Sequence, residues 1–335
     1  MTPKTRQNTI MGFDAGMGAL KVYGQAGGLQ FQSQVAHNGT QKVQASMGLT
    51  RQVSPLHIQS EFGSFYVGPS AHLWGRAVEN NGYDKLIGAP EMRTLTFGIY
   101  TRYIQRYGAI KKPLSIVVGM PQEPLTGDDA KANIAAVKKW MMGKHQWIAD
   151  GQAYEIEIAE VNITSQPVGA LFDYLLTEEG SFIPDRKSAF KSETGIISIG
   201  FNTIELLVVE NKKIVQKFTA GTTAGVRRLL DIVNSQHGNA YTLGELDTKL
   251  RENNLDIKPF LPIWESEVSG VIQQHWGATW KRFAKVLLVG GGAALLKNTL
   301  PYKFNGKAFV PDNPVSSISR GLYKLRVQTE NRKRK

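Results

Sequence analysis

Near the start of the chain an aspartate, two glycines and a lysine stand close together, in Asp14-Ala15-Gly16-Met17-Gly18-Ala19-Leu20-Lys21. Glycine lets the backbone bend tightly and approach a ligand closely. A turn of N–H groups makes an anion-binding concavity. Asp14, at the end of an apolar run, suits a hydrated Mg2+, which prefers carboxylates and waters. Lys21 has the charge and reach to meet phosphate oxygens. The chemistry is the gripping of a polyphosphate; taken alone, the stretch is equally a glycine hairpin with surface charges. A second turn, Ser198-Ile199-Gly200-Phe201-Asn202-Thr203, offers Asn202 and Thr203 as phosphate hydrogen bonders. A third stretch runs from Val286 to Val289 through Gly290, Gly291 and Gly292 to Ala293. A hydrophobic strand passing through glycines into a helix favours close approach of a nucleotide. It lacks both the Walker Lys-Ser/Thr and the dinucleotide G-x-G-x-x-G spacing. Gln166 stands between a strand and a helix; it reads either as a capping amide or as a side chain that orients an attacking water.

These residues need elements to position them. Thr9–Asp14 and Ala19–Tyr23 read as strands about a glycine turn, with Leu29–Val35 as a third. The pattern returns in Gly195–Ile199, Thr203–Glu210 and Ile214–Thr219. Two such turns in equivalent places point to two related α/β halves rather than one doubly wound sheet. Between the repeats, Arg93–Tyr107 and Asp128–Met142 have helical spacing. Leu114–Val118 reads as a buried strand, Tyr154–Ile163 as a strand with alternating acids and Val168–Leu176 as a helix. Ser181–Glu193 is a polar connector. Later, Ala224–Val233 and Pro262–Phe283 are expected as helices, Lys285–Val289 as a strand, and a further helix from about Ala293. The end, Lys324–Lys335, is strongly basic and reads as a solvated, disordered tail.

The 335 residues suit two domains, and 41% apolar residues suffice for buried cores. Lys and Arg number 40 against 28 Asp and Glu, a net charge of +12 that biases the chain toward anionic partners. Cysteine is absent, which removes disulfide scaffolds, thiolate metal sites and cysteine nucleophiles and fits a reducing compartment. The six histidines, among them His37, His57 and His72, are not clustered at ligand spacing. No stretch approaches about 20 consecutive apolar residues, so no membrane span is expected. Met1–Asn8 is polar and unlike a signal peptide, so the protein is expected in the cytoplasm.

Taken in order, these pieces resemble the actin, sugar-kinase and chaperone ATPase superfamily. Asp14-x-Gly16-x-x-x-x-Lys21 is similar to its first phosphate motif, and Thr164-Ser165-Gln166-Pro167-Val168-Gly169-Ala170 to its first connecting motif. Ser198-x-Gly200-x-x-Thr203 is similar to the second phosphate motif, and Gly290-Gly291-Gly292-Ala293 to the adenosine motif. Pro314–Leu322, with Gly321, stands where the second connecting helix belongs. Within the superfamily the likeness is to ParM-type bacterial and archaeal actins that segregate plasmids, on compact size and the Gly-Phe-Asn-Thr-Ile-Glu hairpin.

The resemblance implies an actin-like fold of two related ribonuclease-H-like domains flanking a nucleotide cleft. Residues 1–165 and 313–335 would form domain I, with 37–85 as its outer subdomain. Residues 166–312 would form domain II, with 223–284 as its outer subdomain and Gly225 near the ribose and base. ATP or GTP would lie between the hairpins, touched by Gly16, Met17, Gly18, Lys21, Gly200, Phe201, Asn202 and Thr203, with Gly290, Gly291 and Gly292 at the adenosine. Asp14 would hold Mg2+ through water, and Gln166 would orient the attacking water. Ser198 stands where the family has aspartate, which implies slowed hydrolysis; Glu205 also stands where aspartate is frequent. The implied function is a nucleotide-dependent filament of this chain in DNA segregation, joined to DNA by an adaptor or by direct contact through the basic surface and Arg332–Lys335. A non-polymerising ATP-binding regulator and a small-molecule kinase are the alternatives.

Overall fold

The structure is a computed structural model, and it describes residues 8–38, 54–78 and 82–333. Its first sheet is built by β1 (Thr9–Asp14), β2 (Ala19–Gly24), β3 (Gly27–Gln32), β4 (Val35–Asn38), β5 (Leu56–Ser60), β6 (Gly63–Val67) and β7 (Gly75–Ala77). After helix α1 (Pro90–Tyr107) come β8 (Leu114–Met120), α2 (Ala130–Met141), β9 (Gly143–Ala149) and β10 (Gln152–Ser165). The spatial order is β3-β2-β1-β8-β10-β9-β5-β6-β4-β7. β1 to β3 form an antiparallel meander, while β8 runs parallel to both β1 and β10. β8 is buried at every position, as expected of a central parallel strand covered on both faces. In β10, Tyr154, Ile156 and Ile158 point inward and Glu155 and Glu157 outward, the alternation of a strand with one solvated face.

Helix α3 (Gln166–Leu175) leads to the second sheet. There β11 (Thr194–Ile199), β12 (Ile204–Glu210), β13 (Lys213–Ile214) and β14 (Ala220–Thr222) are followed by α4 (Val226–Gln236), α5 (Leu243–Arg251) and α6 (Leu261–Trp276). β15 (Lys285–Val289), α7 (Gly291–Leu295), β16 (Ala308–Phe309) and α8 (Ser317–Lys333) complete the chain. The order β13-β12-β11-β15-β16 repeats the start of the first sheet, with an antiparallel meander and β15 parallel to β11. The repeat read from the two glycine turns is therefore a repeat of topology.

Each sheet has its own core, the first around Phe97, Trp147 and Tyr154 and the second around Trp264 and Trp276. A third core joins them: Leu171 and Leu175 of α3 and Ile318 and Leu322 of α8 meet Val117 of β8 and Ile196, Leu207 and Val289 of the second sheet. The two helices cross at glycines. A Cβ on Gly321 would stand 1.8 Å from the Gly169 carbonyl oxygen, and one on Gly169 would stand 2.7 Å from that of Ile318. Beside the crossing, Asp173 accepts from Ser317 Oγ (2.7 Å), Arg320 Nε and Nη2 (2.7 and 2.6 Å) and Lys324 Nζ (2.9 Å). Burial pushes the Asp173 carboxyl up, but the Arg320 hydrogen bond and the charges of Arg320 and Lys324 outweigh it and hold it below its usual range.

Several expectations need correction. The third strand of the second repeat is only Lys213–Ile214, because the chain turns through Gln216–Phe218 and returns as β14 against β12. The long helix from Pro262 ends at Trp276, since Gly277 at φ 51° breaks it. Gly291 and Gly292 lie inside α7 instead of before it. The strand pattern gives no sign of β9, which forms a hairpin with β10 through Asp150 and Gly151, both at positive φ. The basic end is no loose tail up to Lys333: it is helix α8, with Lys324 and Arg326 buried against Asp173 and Glu160. Arg334 and Lys335 lie outside the described residues, as do 39–53 and 79–81 of the expected outer subdomain. The strands described within 37–85 extend the first sheet itself through β5 and β9.

Candidate functional site

Strand register sets the first hairpin. Asp14 and Lys21 are cross-strand partners on β1 and β2, and Lys21 Nζ lies 3.0 Å from Asp14 Oδ2. Gln166, the first residue of α3, donates through Nε2 to Asp14 Oδ1 (2.7 Å). Asp14 is thus held from both sides at the C-terminal end of β1. Gly16 bears no side chain for a reason: a Cβ there would stand 2.4 Å from the Ala19 carbonyl oxygen.

The second hairpin mirrors the first. Ser198 and Glu205 are register partners on β11 and β12, in the places that Asp14 and Lys21 hold in the other sheet. Gly200 N–H donates to the Thr203 carbonyl (2.8 Å) and closes the turn. The hairpins touch: the Phe201 ring lies against Gly18, where a Cβ would meet its Cγ at 2.4 Å.

Between them opens a cleft of about 920 Å³. This lies within the usual range for small-molecule and cofactor sites, about 300–1,000 Å³. Asp14, Gly16, Met17, Gly18 and Lys21 line it from one sheet, and Ser198, Gly200, Phe201, Asn202 and Thr203 from the other. Gln166, Gly290 and Gly291 complete the set that sequence reasoning placed together. Gly225 and Gly292 are not among the lining residues. Gly225 backs the second hairpin, where a Cβ would stand 2.5 Å from the Phe201 carbonyl oxygen, and Gly292 packs under Ile199 and Trp264. The far wall is instead the end of α5 and the following loop, with Leu250, Asn253, Asn254 and Lys258. Nothing in the composition of 235–260 beyond its polarity marked this segment.

Helix α5 also crosses to the first sheet. Gln32 Nε2 donates to Asp247 Oδ2 (2.6 Å), and Gln34 Nε2 donates to the Gly244 carbonyl (2.8 Å) and to Thr248 Oγ1 (3.0 Å). Arg251, paired with Asp247 at 2.9 Å, reaches the Gly18 carbonyl at 3.3 Å. The cleft wall is therefore tied to the first hairpin.

Glu205 is the residue whose importance the sequence understated. It is buried; Oε1 accepts from the Gln122 N–H (2.8 Å) in the loop after β8, and Oε2 has no hydrogen-bond partner. Burial, with the nearby charges of Asp14 and Glu123, pushes its carboxyl up to about 8, against the opposing pull of the Gln122 hydrogen bond. A carboxyl raised from 4.5 to about 8 binds its proton more tightly in the folded state. Its stabilising protonation is complete below pH 4.5 and is lost as pH rises toward about 8. The Glu205→Gln variant should lack that decline. Denaturant midpoints from pH 5 to 9 should show the wild type falling relative to E205Q by roughly 1.4 kcal/mol per pH unit within the window; parallel curves would refute it.

Among the described residues, no helix is long and apolar enough to cross a membrane, and no three His, Cys, Asp or Glu side chains cluster as metal ligands. The Mg2+ expected here would rest on Asp14 through water, a fit that the carboxylate lining the cleft allows.

Two related sheets, each ordered as in ribonuclease H, flanking a cleft and joined by crossing helices, define an actin-like fold. Residues 12–169 match the family model described as actin-like proteins, N-terminal domain. No curated protein matches the chain by sequence. The crystal structure of the actin-like protein Alp7A is similar, with 14% identity and a TM-score of 0.73 over 98% of each chain. So is the protomer of a 15-stranded ParM filament from Clostridium botulinum, at 16% identity and a TM-score of 0.71, over 97% of this chain and 99% of that one. An archaeal actin homologue in complex with ADP matches at 16% identity and a TM-score of 0.68, over 96% of this chain and 99% of that one.

Proposed function

We propose that this chain binds ATP with Mg2+ in its cleft, hydrolyses it slowly, and uses the bound nucleotide to assemble head to tail into filaments that segregate DNA. The observation that carries this reading is the convergence of two equivalent glycine hairpins on one cleft, with Asp14 gripped by Lys21 and Gln166 at its floor. The likeness to a filament-forming ParM and to an ADP-bound archaeal homologue supports it. Residues 1–165 with 313–335, and residues 166–312, would act as the two domains that close on the nucleotide.

Both hairpins line the cleft, and their backbone N–H groups would meet the β- and γ-phosphates from opposite sides. Lys21 would turn from Asp14 to neutralise phosphate charge. Asp14 would hold the waters of the metal, which supplies charge neutralisation to the phosphates. Gln166, bonded to Asp14, would orient a water in line with the γ-phosphate. Phosphoryl transfer depends mainly on this positioning and charge stabilisation. Ser198 lacks the charge of an aspartate in the mirrored position, so turnover would be slow. The Ser198→Asp variant should release phosphate about 10²-fold faster at saturating ATP; an unchanged rate would show that Ser198 is not what limits hydrolysis.

Sedimentation with ATP, ADP, a non-hydrolysable analogue and no nucleotide tests the assembly. Pelleting that requires ATP or the analogue is expected. Tight ATP binding without pelleting in any condition would instead favour a nucleotide-gated regulator, a reading to which Ser198 gives some support. GTP belongs in the same series.

A further inference from the structure

One cluster of this chain's lysines has a definite place in the fold. β11 and β15 have their cleft ends at Ser198 and Val289, so Thr194 and Lys285 mark the end of the second sheet away from the cleft. Thr194 also pairs with Val209, which puts the β12–β13 turn at that same end. Lys212 sits in this turn, and Lys213 opens β13 beside it. The turn is fastened to the preceding segment by Asn211 N–H to the Lys191 carbonyl (3.0 Å) and Lys212 N–H to the Phe190 carbonyl (3.1 Å), which brings Lys191 alongside. On the other flank Arg282 forks onto Glu193 at 2.5 and 2.6 Å. Lys217 and Arg282 lie over the same Phe218 ring, at 4.7 and 5.6 Å. Lys307 Nζ bonds the Lys281 carbonyl, closing the group.

Lys191, Lys212, Lys213, Lys217 and Lys281 are all exposed. Of the acids at this end, Glu193 is engaged by Arg282, and Glu210 stands opposite Lys213 in the β12–β13 register. The lysines are therefore in excess. The face spans the ends of five strands. At about 4.8 Å per strand it is roughly 20 Å across, wide enough to meet several phosphates of a duplex.

We propose that this cleft-distal end of the second sheet docks the phosphate backbone of nucleic acid. Flexible lysines without a fixed fork suit sequence-independent contact with a dense row of phosphates. A protein partner would instead be anchored by buried aromatic or apolar side chains. Among the described residues here, Ile214 is the one large hydrophobic side chain exposed beside the lysines. The assignment deepens the DNA-handling part of the proposed function and names direct contact, not an adaptor, as the means. It also puts DNA and nucleotide at opposite ends of the same two strands, β11 and β15.

The test is fluorescence anisotropy of a labelled duplex of about 30 base pairs, titrated with the full-length protein over a salt series. No nucleotide is present, so failure here leaves the filament reading standing, and failed pelleting leaves this one standing. One variant changes Lys191, Lys212, Lys213 and Lys217 to Gln; a control of equal charge changes Lys111, Lys112, Lys139 and Lys144 to Gln, all exposed and outside the face. Both are first checked for an unaltered thermal midpoint. The face variant should bind at least ~10-fold more weakly, with a salt slope reduced by about 3, while the control keeps the wild-type slope within about 1. Equal losses in both variants would show diffuse attraction and overturn the proposal. Absence of salt-dependent binding by the wild type would do the same. Displacement of the duplex by polyglutamate at equal charge concentration would assign the face to an acidic polypeptide instead.

Discussion

The Gly321→Ala variant is expected to lose about 3 kcal/mol of stability or more, with a thermal midpoint at least ~6 °C lower. The added methyl would stand 1.8 Å from the Gly169 carbonyl oxygen and 2.6 Å from the Asp173 N–H, both backbone atoms of α3 that no rotamer change can move aside. The two helices must separate, and separation strains the third core and the bonds from Ser317, Arg320 and Lys324 to Asp173. Gly270 is the matched control. It lies exposed in α6 with nothing within 4 Å of an added Cβ, so Gly270→Ala should leave stability unchanged or raise it by up to ~1 kcal/mol, the helix preference of alanine. Thermal and urea unfolding of the pair decides the matter. Equal midpoints would mean that the α3–α8 crossing is slack enough to take a methyl group.

The second large effect concerns chemistry. Asp14→Asn should lower nucleotide hydrolysis by about 10²–10⁴-fold, the usual loss for one positioned catalytic group. The substitution keeps the shape of the side chain but removes the negative charge that faces Lys21 and could order the waters of a metal. Mg2+ should then no longer strengthen nucleotide binding, which a fluorescent ATP analogue titrated with and without Mg2+ would show. A variant that keeps both its rate and its Mg2+ dependence would remove Asp14 from the site. Gln166→Ala is the milder companion, since it removes the amide and leaves the Asp14–Lys21 pair in place.

Much of this was legible in the sequence because glycine is informative where backbone meets backbone. Gly16, Gly200 and Gly290 stand where an added Cβ would press on a carbonyl, and their spacing exposed both hairpins and the third turn. The fold followed from the order of these turns. Gly225 and Gly292 look the same in sequence but do not line the cleft: they pack closely behind it, and a sequence does not tell packing glycines from ligand-facing ones. Charge at the basic end suggests solvation, whereas Asp173 and Glu160, distant in sequence, draw Lys324 and Arg326 inward. Glu205 shows the same limit. Its residue type was visible, but its raised proton affinity arises from burial between the sheets and from Asp14 across the floor.

The packing of α8 against β1 also sets a timetable. Gly12 lies directly under this helix, with an added Cβ only 2.0 Å from the Ser319 carbonyl oxygen, so β1 is covered by an element made at the far end of the chain. The second sheet and its core are complete by Val310. At ~5–20 residues per second, β1 leaves the ribosome some tens of seconds before its cover exists. The half synthesised last can therefore mature first, while the half synthesised first waits with one face open, a window in which a nascent-chain chaperone would find its substrate.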